Sequence, residues 1–167
     1  GHERLAVHGH VVVLAGLDRA RQLLDVYTKT GTSVVGLKKT RIDEIHQFGC
    51  VTGVWEKPDT LLTVTEFAEK PEKTYAREHL RVEGMEKDLY LTVFGQYILN
   101  AKVFDILEDR IRQNVREKGD FQLTSCLELL RREEGFNGIV IKGKRYDIGT
   151  PDAYRHCMAD YDKAETD

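Results

Sequence analysis

Glu69, Lys70 and Pro71 follow the stretch Leu-Thr-Val-Thr-Glu-Phe-Ala at residues 62–68, which alternates apolar and polar positions as a strand does. A strand ending there delivers one carboxylate and one ammonium to the C-terminal edge of a sheet, where open α/β sheets bind ligands. Carboxylate oxygens accept hydrogen bonds from hydroxyls, and a compact lysine charge meets a phosphate, so the pair suits a sugar phosphate. The same three residues also read as a solvated strand end with a proline stop. The chain carries its own control, because Glu56-Lys57-Pro58 repeats the tripeptide in a turn with nothing further to recommend it. Gly49 and Gly95 each interrupt a β-rich stretch, where glycine marks a bulge or a backbone approached by a ligand. Asp120 precedes a helix, which makes it a binding carboxylate or the helix N-cap. Asp147 ends a late strand, where it ligates Mg²⁺ or caps the last helix.

The elements that must position these residues follow from hydrophobic periodicity. Residues 10–15 read as a buried strand, and Leu17, Ala20, Leu23, Leu24 and Tyr27 fall at helical spacing up to Gly31, a C-cap glycine. Residues 32–37 form a second strand, so the chain opens as a parallel βαβ unit. Residues 48–54 and 61–67 flank Pro58-Asp59 and predict a hairpin. A short helix is expected at 75–80, a strand at 89–99, amphipathic helices at 101–113 and 123–132, a strand at 139–141 and a final helix at 151–161 that starts on Pro151. A parallel opening and an antiparallel hairpin together require an α/β domain with a mixed sheet.

Composition narrows the function classes. The chain has 167 residues, enough for one domain, and its formal charge of −3 recruits no nucleic acid. No apolar run approaches the ~20 residues of a membrane span. Cys50, Cys126 and Cys157 are odd in number and far apart, so reduced thiols and a cytoplasmic location are expected rather than a disulfide framework or zinc site. His2, His8 and His10 lack a third metal ligand, and residues 1–10 read as a tag remnant or frayed strand. Residues 162–167 read as a frayed tail.

Five segments in order, Phe48-Gly49-Cys50-Val51, Glu69-Lys70-Pro71, residues 93–99 (VFGQYIL), residues 119–124 (GDFQLT) and residues 142–149 (KGKRYDIG), resemble the bacterial UTP:glucose-1-phosphate uridylyltransferases. The resemblance runs from about residue 17 to 161. It implies a mixed-sheet, Rossmann-like nucleotide-diphospho-sugar transferase fold. It also implies that Glu69 binds sugar hydroxyls, Lys70 binds the sugar phosphate, and the backbone at Gly49 and Gly95 lines the sugar pocket. Asp120 and Gln122 would sit near the sugar side of the cleft, and Asp147 would be one of two Mg²⁺-binding aspartates, with Lys70 and Asp147 acting in the reaction.

The family's glycine-rich GxGTRxxP loop, which grips the nucleotide phosphates, has no counterpart in this sequence, and Asp18 does not stand in register with the family's other metal-binding aspartate. The resemblance therefore implies a fold incomplete at the N-terminus that retains the sugar-phosphate half. UTP would bind only with the other half supplied, and the chain alone would be inactive or act as a non-catalytic sugar-phosphate-binding module. Uncovered sheet edge near the opening strand or the first helix is expected to drive self-association into a homo-oligomer.

Overall fold

The computed structural model describes residues 11–12, 17–117, 121–141, 146–147 and 151–164. Its elements run β1 (Val11–Val12), α1 (Leu17–Thr30), β2 (Val34–Arg41), β3 (Gly49–Lys57), β4 (Leu61–Glu69), α2 (Lys73–His79), β5 (Leu89–Ile98), α3 (Lys102–Arg112), α4 (Leu123–Glu134), β6 (Asn137–Val140), β7 (Tyr146–Asp147) and α5 (Pro151–Ala164), with a 3-10 turn at Ile45–Gln47. Five strands close into a ring in the order β2, β5, β3, β4, β6. Every pairing in it is antiparallel except β2 with β6.

The mixed sheet is present, but its parallel pair is not the one expected. A βαβ opening would lay β1 beside β2. Instead β1 pairs with β7 in a separate two-stranded sheet, Val11 opposite Asp147, while β2 takes β5 and β6 as its neighbours. Local periodicity finds strands but not partners, and this pairing joins segments more than a hundred residues apart.

Apolar alternation in the strands explains the layering. In β2, Val34 packs toward α1 with Leu23, Phe94, Ile139 and Ile141, whereas Val35 and Leu37 face the main core. That core joins Val51, Leu62, Val64, Phe67 and Leu91 of the ring to Val103 and Ile106 of α3 and to Cys126, Leu127 and Leu130 of α4. Successive strand residues point to opposite faces, so one ValVal pair serves two helical layers. Ile42, Ile45, Cys50, Ala76, Leu80 and Tyr90 make a smaller cluster under the 3-10 turn and α2. Cys50, Cys126 and Cys157 are all buried and in no disulfide.

Two glycines close the framework. Gly31 ends α1 with φ +67°, and its N–H donates to the Tyr27 carbonyl at 2.7 Å, the C-cap its position suggested. Gly53 sits at a shift in the β3–β4 register, where a Cβ would collide with the Thr63 carbonyl oxygen. No helix among the described residues is long and apolar enough to cross a membrane.

Candidate functional site

The β3–β4 hairpin has a mouth and a tip. At the mouth Gly49, the first residue of β3, pairs with Glu69, the last residue of β4. Cys50 and Val51 pair with Thr92 and Leu91, which brings β5 alongside the same end. The chain then leaves β4 through Lys70, whose N–H donates to the Phe48 carbonyl at 3.2 Å. The helix α4 reaches the mouth with its first turn, and Thr124 Oγ1 donates to Glu69 Oε2 at 2.5 Å.

These pieces enclose a cleft of about 180 Å³ lined by Gln47, Phe48, Gly49, Glu69, Lys70, Val93, Phe94, Gly95, Tyr97 and Thr124. Four of the residues singled out in the sequence, Gly49, Glu69, Lys70 and Gly95, are thus on one surface. A Cβ on Gly49 would stand 3.4 Å from Glu69 Oε2, so the glycine keeps that side of the carboxylate open.

Gly95 reaches the cleft through a bulge. Val35 pairs with Tyr97 and Leu37 with Val93, so Phe94, Gly95 and Gln96 together oppose Gly36. Gly95 takes φ +93°, a conformation that excludes most side chains. The bulge leaves Gln96 Oε1 buried without a hydrogen-bond partner, which costs on the order of 1–3 kcal/mol. Bulges of this kind concentrate beside functional sites because they re-aim the strand.

Lys70 is also held in an unusual backbone state. Its φ is +45°, and it precedes Pro71, which further restricts it. The other described non-glycine residues with positive φ are Asp59, Asp88 and Asn114, types that tolerate the left-handed region. A lysine there carries a cost of about 1–3 kcal/mol, and such strain clusters at ligand sites. The side chain is exposed, so its ammonium is open to solvent beside the cleft.

Tyr97 shares the cleft. Burial, reinforced by the nearby Glu69 charge, pushes its hydroxyl above the ordinary tyrosine range, so it keeps its proton as a donor at neutral pH. Next to this cleft a second hollow shares Glu69 and Thr124 and adds Phe67, Arg110, Glu117, Ser125, Glu128, Leu129 and Arg132. Its charges are satisfied internally, with Arg110 on Glu117 at 2.5 Å and Glu128 Oε1 on Arg131 and Arg132 at 2.8 Å each. Burial pushes the Glu128 carboxyl up, yet hydrogen bonds from Arg131, the Phe67 N–H and Arg132 hold it below its ordinary range.

The remaining expectations distribute differently. Gln122 occupies the N-cap position of α4, where its backbone carbonyl accepts from Ser125 Oγ at 3.0 Å, and it does not line the cleft. The cap is therefore two residues beyond Asp120, which lies outside the described residues. Of Asp147 only the backbone in β7 is described. Sequence reasoning missed Thr124 and Tyr97. Both stood inside recognised segments, but a threonine in a helix's first turn and a tyrosine in an apolar strand each have an ordinary structural explanation.

A family model described as nucleotidyl transferase matches residues 9–164. The chain belongs to the nucleotidyl transferase family. Among curated nucleotidyl transferases, a UTP–glucose-1-phosphate uridylyltransferase 1 from Staphylococcus saprophyticus is 33% identical over 150 residues, covering 89% of this chain and 47% of the relative. A UTP–glucose-1-phosphate uridylyltransferase from Bacillus subtilis is 30% identical, covering 89% and 46%. The chain spans about half the length of the curated relatives it matches. In solved structures, an apo UDP-glucose pyrophosphorylase superposes with a TM-score of 0.73 at 22% identity, over 93% of this chain and 51% of that one. A UTP-bound UGPase from Acinetobacter baumannii gives 0.71 at 18%, over 95% and 50%. The mixed α/β fold is the one seen in these structures.

Proposed function

We propose that the cleft at the mouth of the β3–β4 hairpin binds the sugar 1-phosphate of a nucleotidyl transfer, the reaction being UTP plus glucose 1-phosphate to UDP-glucose plus pyrophosphate. The observation that carries this reading is the convergence of Gly49, Glu69, Lys70 and Gly95 on one surface in a chain of this family. Glu69 Oε2 is engaged by Thr124, and its other oxygen accepts from a sugar hydroxyl. The Lys70 ammonium meets the phosphate. The backbones at Gly49 and Gly95 let the ring lie close. UTP and the sugar phosphate are the substrates that the names of the relatives supply, and nothing in this cleft reads the base.

In such a transfer a phosphate oxygen of glucose 1-phosphate forms a bond to the α-phosphorus of UTP while the bond to the β-phosphate oxygen breaks and pyrophosphate leaves. The lysine and the hairpin mouth contribute positioning and charge neutralisation, the main sources of catalysis in phosphoryl-type transfer. A divalent cation, when bound, neutralises phosphate oxygens. The described residues include no group of three or more His, Cys, Asp or Glu side chains able to hold a metal ion, so Mg²⁺ on Asp147 rests on the resemblance.

Isothermal titration of the chain with glucose 1-phosphate tests the reading, with Glu69→Gln as the comparison. Saturable binding that Glu69→Gln weakens supports it, and no binding by the unsubstituted chain overturns it. Pyrophosphate release on adding UTP and Mg²⁺ separates an active transferase from a non-catalytic sugar-phosphate-binding module.

A further inference from the structure

We infer that Thr124 is a positioning residue that fixes the Glu69 carboxylate, a role that rests on the sugar-phosphate reading of the cleft. The pairing of β4 with β6 covers only Leu61 to Thr63, and the Val64 N–H finds the Phe136 carbonyl at 2.9 Å. Beyond that point the edge of β4 away from β3 has no neighbouring strand among the described residues. α4 takes the strand's place. Glu128 Oε2 accepts the Phe67 N–H at 3.1 Å, and Thr124 Oγ1 donates to Glu69 Oε2 at 2.5 Å.

The spacing makes this a two-point clamp. Thr124 and Glu128 are four residues apart on the helix, about 6 Å along its axis. Phe67 and Glu69 are two residues apart on the strand, about 6.6 Å along it. The helix therefore runs against β4 in register, the later helix residue on the earlier strand residue. The Glu128 end is anchored in turn by Arg131 and Arg132. Only the Thr124 end acts on a group that faces the cleft.

A free glutamate side chain loses rotamer freedom when a ligand orders it. A hydroxyl already bound to Oε2 removes part of that cost and leaves Oε1 for the ligand. The hydroxyl's single proton is committed to the carboxylate, so Thr124 acts on the ligand through Glu69. Such a role differs from packing in a measurable way. Its effect must vanish when the Glu69 side chain is removed, because the hydroxyl then has nothing to hold.

The test is a double-substitution cycle read by titration with glucose 1-phosphate: Thr124→Val, Glu69→Ala and both together, with Thr124→Ser as the rescue and thermal melting as the check on folding. Thr124→Val is expected to weaken binding about tenfold, Thr124→Ser to bind within about twofold of the unsubstituted chain, and the double variant to bind like Glu69→Ala alone. Thr124→Ala removes the same hydroxyl if valine crowds the helix turn. Unchanged affinity in Thr124→Val, or losses that multiply in the double variant, overturn the inference while leaving the cleft's ligand in place. Absence of binding by the unsubstituted chain instead overturns the sugar-phosphate reading, and the inference falls with it.

Discussion

The two Glu-Lys-Pro tripeptides lie at opposite ends of one hairpin. Glu56 and Lys57 end β3 at the tip, where the Thr60 N–H turns back to the Lys57 carbonyl at 3.0 Å. Glu69 ends β4 at the mouth, and Lys70 follows it. At the tip, Glu56 accepts from Thr63 Oγ1 at 2.8 Å, a neighbour within the same hairpin, and Glu56, Lys57 and Pro58 are all exposed. At the mouth, Glu69 is half-buried and held by a threonine 55 residues further along, Pro71 is buried, and Lys70 is driven to positive φ. The residue types are the same, so the types do not make the site. Convergence of β5, its bulge and the first turn of α4 does.

The most damaging change strikes the hairpin that joins the two ends. Gly53→Ala forces a Cβ onto the Thr63 carbonyl and is expected to cost about 3 kcal/mol, read as a lowered urea midpoint. It should disrupt tip and mouth alike. Lys70→Ala is expected to lower glucose 1-phosphate affinity by about 30-fold, near 2 kcal/mol, without lowering the melting temperature, because a hydrogen bond to a charged group is worth about that much. Lys57→Ala, the matched change at the tip, should alter affinity less than twofold. Equal losses from both lysines would erase the distinction between the ends.

The hydrogen bonds on Glu128, in the hollow beside the mouth, give that end of the hairpin a pH signature. Its carboxyl is held lower in the folded chain than in the unfolded one, so it stabilises fully above the unfolded value, and that contribution is lost as pH falls through the folded value. Glu128→Gln should therefore flatten the decline in urea midpoint from about pH 5 downward, by roughly 1 kcal/mol at neutral pH. A smaller and opposite effect is expected at Lys70. Lys70→Gly relieves the left-handed backbone and should raise stability by up to about 1 kcal/mol while affinity falls as in Lys70→Ala, a separation of fold from function that melting and titration read together.

Much of this arrangement was legible in the residues. Repeated apolar spacing marked α1, α3 and α4, and Pro58-Asp59 marked the hairpin turn, because local sterics and one-sided burial dictate those features. Gly49, Glu69, Lys70 and Gly95 were legible as a set through order along the chain. The start of β6 was not. Asn137 and Gly138 look like turn residues, yet the Asn137 side chain reaches Thr30 Oγ1 at 3.2 Å and a Cβ at Gly138 would collide with Leu37. Both answer to neighbours about a hundred residues away. The partner of β1 was hidden for the same reason, and Thr124 was hidden because its reason for being threonine sits on another strand.

The late position of β6 has a consequence for how the chain acquires its shape. Residues Asn137–Val140 supply the parallel partner that β2 has among the described residues and also pair with the start of β4, so the ring stays open until they arrive. During synthesis, everything from β2 to α4 emerges first, with one long edge of β2 unpaired and able to template another chain. Closing a loop of that span is entropically slow, so ring closure is expected to limit the rate of folding. A chain ended at residue 134 should therefore aggregate on refolding where the full chain does not, and light scattering during refolding would reveal it.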